Sequence, residues 1–133
     1  MKPGSRSYKD LQVWQKAMTL VKGVYQISAT FPNSETYGLV AQMRRAAVSI
    51  PSNIAEGQAR QSVREFAQFV SHAEGSAAEL ETQLLIATSL NFCSEARAHD
   101  LLEAISEIRK MLSSLRRNLS SRATNPAGTT TKN

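Results

Sequence analysis

Apolar residues recur at intervals of three and four along most of this chain, and no stretch alternates as a half-buried strand must. Four segments share the pattern. The first runs from about Asp10 to Thr30 and carries Leu11, Trp14, Met18, Val21, Tyr25 and Phe31 on or near one stripe. Asp10 is the expected N-cap, and Pro32 ends the segment, because proline disfavours helical geometry in the residue before it. The second runs from about residue 35 to Gly57, with Leu39, Met43, Ala46, Ala47, Ile50 and Ile54 as its apolar face. Pro51 lies inside it and predicts a bend; Gly57 is read as its stop.

Ser62-Val63-Arg64-Glu65 has the form of a capping box, which opens a third helix over about 62–90. Ser94 caps a fourth over about 94–119, with Glu95 in its first turn and Arg109, Lys110, Arg116 and Arg117 towards its end, as the helix dipole favours. Such helices, each about 30–40 Å long at 1.5 Å per residue and joined by short loops, have to alternate in direction. The expected fold is therefore all-α: an antiparallel up-and-down four-helix bundle over residues 10–119. Residues 1–9 are expected to be a flexible N-terminus and residues 120–133 a disordered tail, since they offer too little apolar surface to offset the entropy of ordering.

Bulk properties narrow the function. No apolar run reaches the length of a membrane span, and the polar start Met1-Lys2-Pro3-Gly4-Ser5-Arg6 lacks a secretory core. A single cysteine, Cys93, excludes an internal disulfide; together these features predict a cytoplasmic protein without a membrane partner. The formal charge of +5 is unevenly spread. Residues 62–107 hold two Arg against eight acids, whereas residues 108–133 hold six Lys/Arg and no acid. That invites a polyanion, RNA or DNA, as partner, but basic and acidic regions can equally pair with each other, within or between subunits.

No catalytic constellation emerges. His72 and His99 lack the Glu three residues upstream that di-iron bundles use, and zinc has too few ligands. Cys93 has no positioned base and orienting group, Arg and His are not spaced as in small helical ribonucleases, and no Gly-rich phosphate loop is present. An enzyme, a cofactor and a metal are thus not expected. Trp14 and Tyr37 could stack on bases, but packing at the core or a helix end is the plainer reading.

Two features are unusual for a plain bundle. Arg45, Ser49, Ser52, Glu56 and Arg60 form a polar stripe on the second helix, either an exposed face or a subunit interface or ligand groove. Gly75 sits in mid-helix at a cost of up to about 1 kcal/mol relative to alanine, so something should approach it closely, inside the bundle or from a neighbour.

The block Tyr37-Gly38-Leu39, Gln42 and Arg44-Arg45-Ala46-Ala47-Val48-Ser49-Ile50-Pro51-Ser52-Asn53-Ile54-Ala55-Glu56-Gly57 resembles a bacterial family of four-helix bundles often encoded in the intervening sequences of 23S rRNA genes. Trp14-Gln15-Lys16-Ala17, Phe31-Pro32, Glu65-Phe66 with Phe69, Gly75-Ser76 and Glu79-Leu80-Glu81-Thr82-Gln83-Leu84 extend the resemblance over about residues 8–119. It implies a ring-shaped homopentamer. A similar relative, the accessory variability determinant of diversity-generating retroelements, is a basic pentamer that engages a reverse transcriptase and nucleic acid. Glu74 departs from the pattern, standing where relatives often carry Lys or Arg.

Two functions follow as expectations. One is a non-enzymatic homo-oligomer that binds nucleic acid or a nucleic-acid enzyme through Arg44, Arg45, Arg60, Arg64, Arg109, Lys110, Arg116 and Arg117. The alternative is a purely structural or protein-interaction ring. In either, Ser49, Pro51, Ser52, Asn53, Glu56 and Gly75 are the candidate subunit interface.

Overall fold

The structure, a computed structural model, describes residues 7–124 and contains α1 (Gln12–Ser28), α2 (Leu39–Gln58), α3 (Val63–Ser89) and α4 (Glu95–Thr124). Single 3-10 turns lie at Tyr8–Asp10 and Asn33–Glu35, and no strand occurs among the described residues. Each helix packs on its two neighbours in sequence or, for α1 and α4, on each other; the diagonal pairs do not approach. Direction is fixed by side chains that meet in opposite order of number. Ser49 of α2 meets Ser76 of α3 at 2.7 Å, while Gly57 lies against Phe66 and Phe69. Likewise Glu81 meets Arg109 and Glu74 meets Arg116 across α3 and α4. The all-α antiparallel four-helix bundle is therefore the observed fold.

The core follows the apolar stripes. Leu20, Met43, Ile50, Ile54, Leu80, Leu84, Ile105, Ile108 and Leu112 are among its largest fully buried side chains. Each such residue contributes about 1.5–3 kcal/mol of burial, so the stripes, more than local propensity, hold the helices in place. Gln83 is buried among them; its amide nitrogen donates to Glu79 at 3.3 Å, and its carbonyl oxygen finds no donor among the described residues.

The ends differ from expectation in instructive ways. Ser62 and Ser94 cap their helices, accepting from the N–H groups of Glu65 at 2.9 Å and Arg97 at 3.1 Å, and at Ser62 only this half of the expected capping box is formed. Asp10 does not cap α1. It closes a capping box with Ser7 around the preceding 3-10 turn, and α1 starts at Gln12 with no side-chain cap. The second helix begins four residues later than residue 35, because Gly38 is non-helical (φ −106°, ψ −110°) and the Glu35 carboxylate reaches forward to the Leu39 N–H at 3.3 Å.

α2 continues as one helix through Pro51, whose ring is buried, so packing compensates for the missing hydrogen bond. Gly57 is not a stop either: it is buried inside α2, which runs on to Gln58. α3 ends where Asn91 adopts φ 63°, while the Phe92 N–H bonds to the Ala87 carbonyl and the Asn91 N–H to that of Thr88. This Schellman arrangement satisfies two carbonyls that the helix end would otherwise leave open.

α4 extends five residues past Leu119, so residues 120–124 are helix rather than tail. Ala123, four residues after buried Leu119, prolongs the apolar stripe and lines, with Ala67 at the start of α3, a groove between the two helices. The rest of the expected tail, residues 125–133, lies outside the described residues, as do residues 1–6. No helix is long and apolar enough to cross a membrane among the described residues.

Candidate nucleic-acid interface

Antiparallel order gathers distant segments at one end of the bundle: the turn before α1, the α2–α3 connection and the last turns of α4. Lys9, Arg60, Arg64, Arg116, Arg117 and Arg122 all fall there. Two of these cations are engaged by acids. Arg116 meets Glu74 at 2.5 Å, and Arg60 meets Glu56 at 3.1 Å while its guanidinium covers the Phe69 ring at 4.8 Å. Arg117 donates to the Ser113 hydroxyl at 2.6 Å and has no acidic partner among the described residues; nor do the side chains of Lys9, Arg64 and Arg122. The Glu65 carboxylate pairs with no cation among the described residues, so this end is net basic and not uniformly so. Between α3 and α4 a groove of about 250 Å³ opens here, lined by Arg64, Gln68, Ser71, Arg116 and Ser120 among others.

The remaining candidate cations lie elsewhere. Arg45 is exposed and lines a cleft of about 380 Å³ between α2 and α3 with Gln42, Ser49, Ser76 and Glu79. Arg45 and Arg60 are some 22 Å apart along α2 at about 1.5 Å per residue, so roughly a helix length separates them. Arg109 is tied to Glu81 at 2.6 Å midway along α4; Lys110 beside it is exposed and unpaired among the described residues. The candidates thus fall into separate groups rather than one surface. Lys9 and Arg122 were missed by sequence reasoning, and the up-and-down order that brings them to the basic end is the signal that could have found them.

Arg44 serves the fold. Its Nε donates to the buried Ser28 hydroxyl at 2.9 Å, its Nη2 to the Tyr25 carbonyl at 3.3 Å, and its guanidinium lies 4.4 Å above the Tyr25 ring. It clamps the end of α1 to α2. Removing it takes away a charge-assisted hydrogen bond to a buried hydroxyl and the contact with the Tyr25 ring, so Arg44→Ala is expected to lower the unfolding free energy by about 1–2 kcal/mol in a urea melt. Its affinity for polyanions should stay that of the unmodified protein.

The interface candidates also divide. Pro51 is buried in the chain's own core and is not available to a neighbour. Ser49 is half-buried and bonds to Ser76, and the Asn53 amide donates to the Ser49 carbonyl at 2.8 Å and hydroxyl at 2.9 Å. These three residues stitch α2 to α3. Ser52, Glu56 and Gly75 are exposed. A Cβ on Gly75 would meet nothing within 4 Å, so packing inside the bundle does not explain that glycine.

Trp14 packs its ring edge-on against Tyr8 at 5.3 Å, at the helix end as expected. Tyr37 is 95% exposed and does not pack within the chain. His99 lies 3.6 Å from Glu103, His72 stands edge-on to Phe69, and half-buried Cys93 approaches the Thr88 hydroxyl at 3.8 Å. Among the described residues no group of three or more His, Cys, Asp or Glu side chains is placed to hold a metal ion. Glu74 supplies the partner of Arg116 and so turns a surface charge into a tie between α3 and α4.

No curated protein matches this chain. A solved structure described as a protein of unknown function from the S23 ribosomal protein family of Bacteroides thetaiotaomicron superposes with a TM-score of 0.71 at 21% identity, covering 78% of this chain and 97% of that one. At that identity the likeness speaks for the fold. The family model described as 23S rRNA-intervening sequence protein matches residues 9–114, which include every helix except the last turns of α4. The chain belongs to the 23S rRNA-intervening sequence protein family.

Proposed function

We propose that this protein is a cytoplasmic, non-enzymatic homo-oligomer that binds nucleic acid through the basic end of its bundle. One observation carries the reading: at that end Lys9, Arg64, Arg117 and Arg122 have no acidic partner among the described residues, while Arg109 and Arg116 are paired on the α3–α4 face. Unpaired cations need no rearrangement to meet phosphates, whereas a paired arginine must first give up its carboxylate. The ring of five that the family resemblance implies would repeat the basic end around an axis, so weak contacts to one strand would add.

Salt dependence tests it. Binding of a structured RNA and of duplex DNA, followed by anisotropy between about 50 and 200 mM salt, should weaken steeply because phosphate contacts release counterions. Arg64→Ala with Arg122→Ala should lower the slope by about one unit for each phosphate no longer neutralised, and Arg45→Ala should leave it alone. No binding of either probe at the lowest salt overturns the nucleic-acid reading.

The alternative is a purely structural or protein-interaction ring. It is favoured by the Arg109–Glu81 and Arg116–Glu74 pairs, which use basic residues internally. It predicts assembly in light scattering without salt-dependent binding of either probe.

A further inference from the structure

The α3–α4 groove at the basic end differs in chemistry from three other hollows on the bundle, all of which mix charges. Lys16 and Lys22 line the α1–α4 groove with Asp100 and Glu107, and Arg45 lines the α2–α3 cleft with Glu79. Lys110 shares a hollow on α4 with Asp100, Glu103 and Glu107. The α3–α4 groove has Arg64 and Arg116 in its walls and, among the described residues, no acid. Arg64 lies in the first turn of α3, whereas Arg116 meets Glu74 ten residues further along that helix. The two cations therefore stand towards opposite ends, about 15 Å apart at 1.5 Å per residue. Arg116 is tied to Glu74; Arg64 is exposed and has no acidic partner among the described residues.

Such walls suit an anion, but the space between them is not a plain phosphate cradle. Ala67, buried, and Ala123, half-buried, line it between the arginines. The Gln68 amide and the Ser71 hydroxyl, on the α3 wall, have no hydrogen-bond partner among the described residues. A bare phosphate would leave the alanines unused, and a fatty chain would leave the amide and hydroxyl unused. A nucleotide uses all of them: phosphates meet the arginines, the apolar face of a base meets the alanines, and its polar edge meets an amide that can both donate and accept. The volume of about 250 Å³ falls below the roughly 300–1,000 Å³ of sites for drug-sized molecules, so the groove takes one flat group. A base inside a duplex is stacked and paired and cannot enter it, whereas a base in a loop or a single strand can be splayed out.

We infer that the α3–α4 groove takes an unpaired base of a nucleic-acid strand, with flanking phosphates on Arg64 and Arg116. This rests on the nucleic-acid reading above and adds the form of strand that is preferred: single-stranded or looped over fully paired. Arg64, held by no acid, is free to lay its guanidinium plane on the base.

Filling the groove without touching its charges tests this. Ala123→Leu and, separately, Ser71→Leu are compared with the unmodified protein by fluorescence anisotropy at about 50 mM salt, with helicity checked by circular dichroism. The probes are a short single strand, the same sequence as a duplex, and an abasic strand of equal length, which keeps the phosphates and lacks the bases. The unmodified protein should bind the single strand about tenfold more tightly than either other probe, the scale of one stacked base. Both variants should lose that preference while keeping their duplex affinity and salt slope. Equal affinity of the unmodified protein for all three probes overturns the inference and leaves the nucleic-acid reading standing. So does an undiminished preference in both folded variants. Displacement of the strand by an equal concentration of a nucleoside monophosphate would assign the groove to a free nucleotide and overturn the strand as its occupant. Failure to bind any probe would instead remove the nucleic-acid reading, and the inference with it.

Discussion

Gly57→Val is expected to be among the most damaging single substitutions in this chain, lowering the unfolding free energy by about 3 kcal/mol, at the upper end of what overpacking costs. A Cβ on Gly57 would stand 2.6 Å from the Cβ of Phe69, 3.0 Å from a ring carbon of Phe66 and 3.3 Å from the Phe66 carbonyl. The first of these atoms is fixed to the α3 backbone and cannot swing aside, so the last turns of α2 must lift off α3. Valine adds a branch in the same crowded space. Alanine should do less harm, because its gain of about 1 kcal/mol in helix propensity offsets part of the clash. Gly75→Ala is the matched control. It meets nothing within 4 Å and should stabilise the isolated subunit by up to about 1 kcal/mol. Urea unfolding followed by helical circular dichroism on all three variants reads the contrast; equal stability for Gly57→Ala and Gly75→Ala would mean that α2 and α3 do not approach closely at Gly57.

Leu80→Ala should cost about 3–4 kcal/mol, the transfer of a fully buried leucine plus the cavity it leaves. Leu80 sits towards the middle of α3 with no exposure, between Ala77 and Leu84 on the same stripe. Surrounding helices are held by their own contacts and cannot collapse fully into the gap. Leu85→Ala, further along the same helix, removes a half-exposed side chain and should change the stability of the single folded chain by less than about 0.5 kcal/mol. Denaturation at low protein concentration reads the first effect. Light scattering at high concentration separates any loss of assembly from a loss of folding.

The stripe residues were legible because a period of about 3.6 is written in consecutive positions and needs no knowledge of the partner helix. Every residue whose role depends on a partner far away in sequence was not. A glycine near a helix end looks the same whether it stops the helix or admits a neighbour; Gly57 does the latter, and Phe66 and Phe69 decide it. Arg44 and Arg45 read as a pair of cations, yet one helical step of about 100° sends Arg44 onto α1 and Arg45 into the α2–α3 cleft.

Glu74 and Arg116 are 42 residues apart, so counting charge by chain segment separated two residues that touch. The same counting hid the basic end, because Lys9, Arg64 and Arg122 come to one end of the bundle only once the helices alternate. Pro51 was legible as a proline inside a helix, but the burial of its ring in the core was not. α4 outlasted its apparent end, and Ala123, too small to register as a stripe residue, lines with Ala67 the groove between α3 and α4.

The four seams of the bundle are unequally sealed. Both α2–α3 and α1–α4 have one close approach at a glycine, Gly57 beside Phe69 and Gly23 beside Leu101, but of these two seams only α2–α3 adds a half-buried hydrogen bond, Ser49 to Ser76. Between α1 and α4 a groove of about 560 Å³ remains, floored by Leu20, Leu101 and Ile108, and its ion pair, Lys16 with Glu107 at 3.4 Å, is exposed. That seam joins the parts of the chain most distant in sequence, so its closure carries the largest loop entropy. Thermal breathing should therefore part α1 from α4 while the central hairpin stays zipped, leaving the molecule briefly as an open clasp that bares its greasy lining to water.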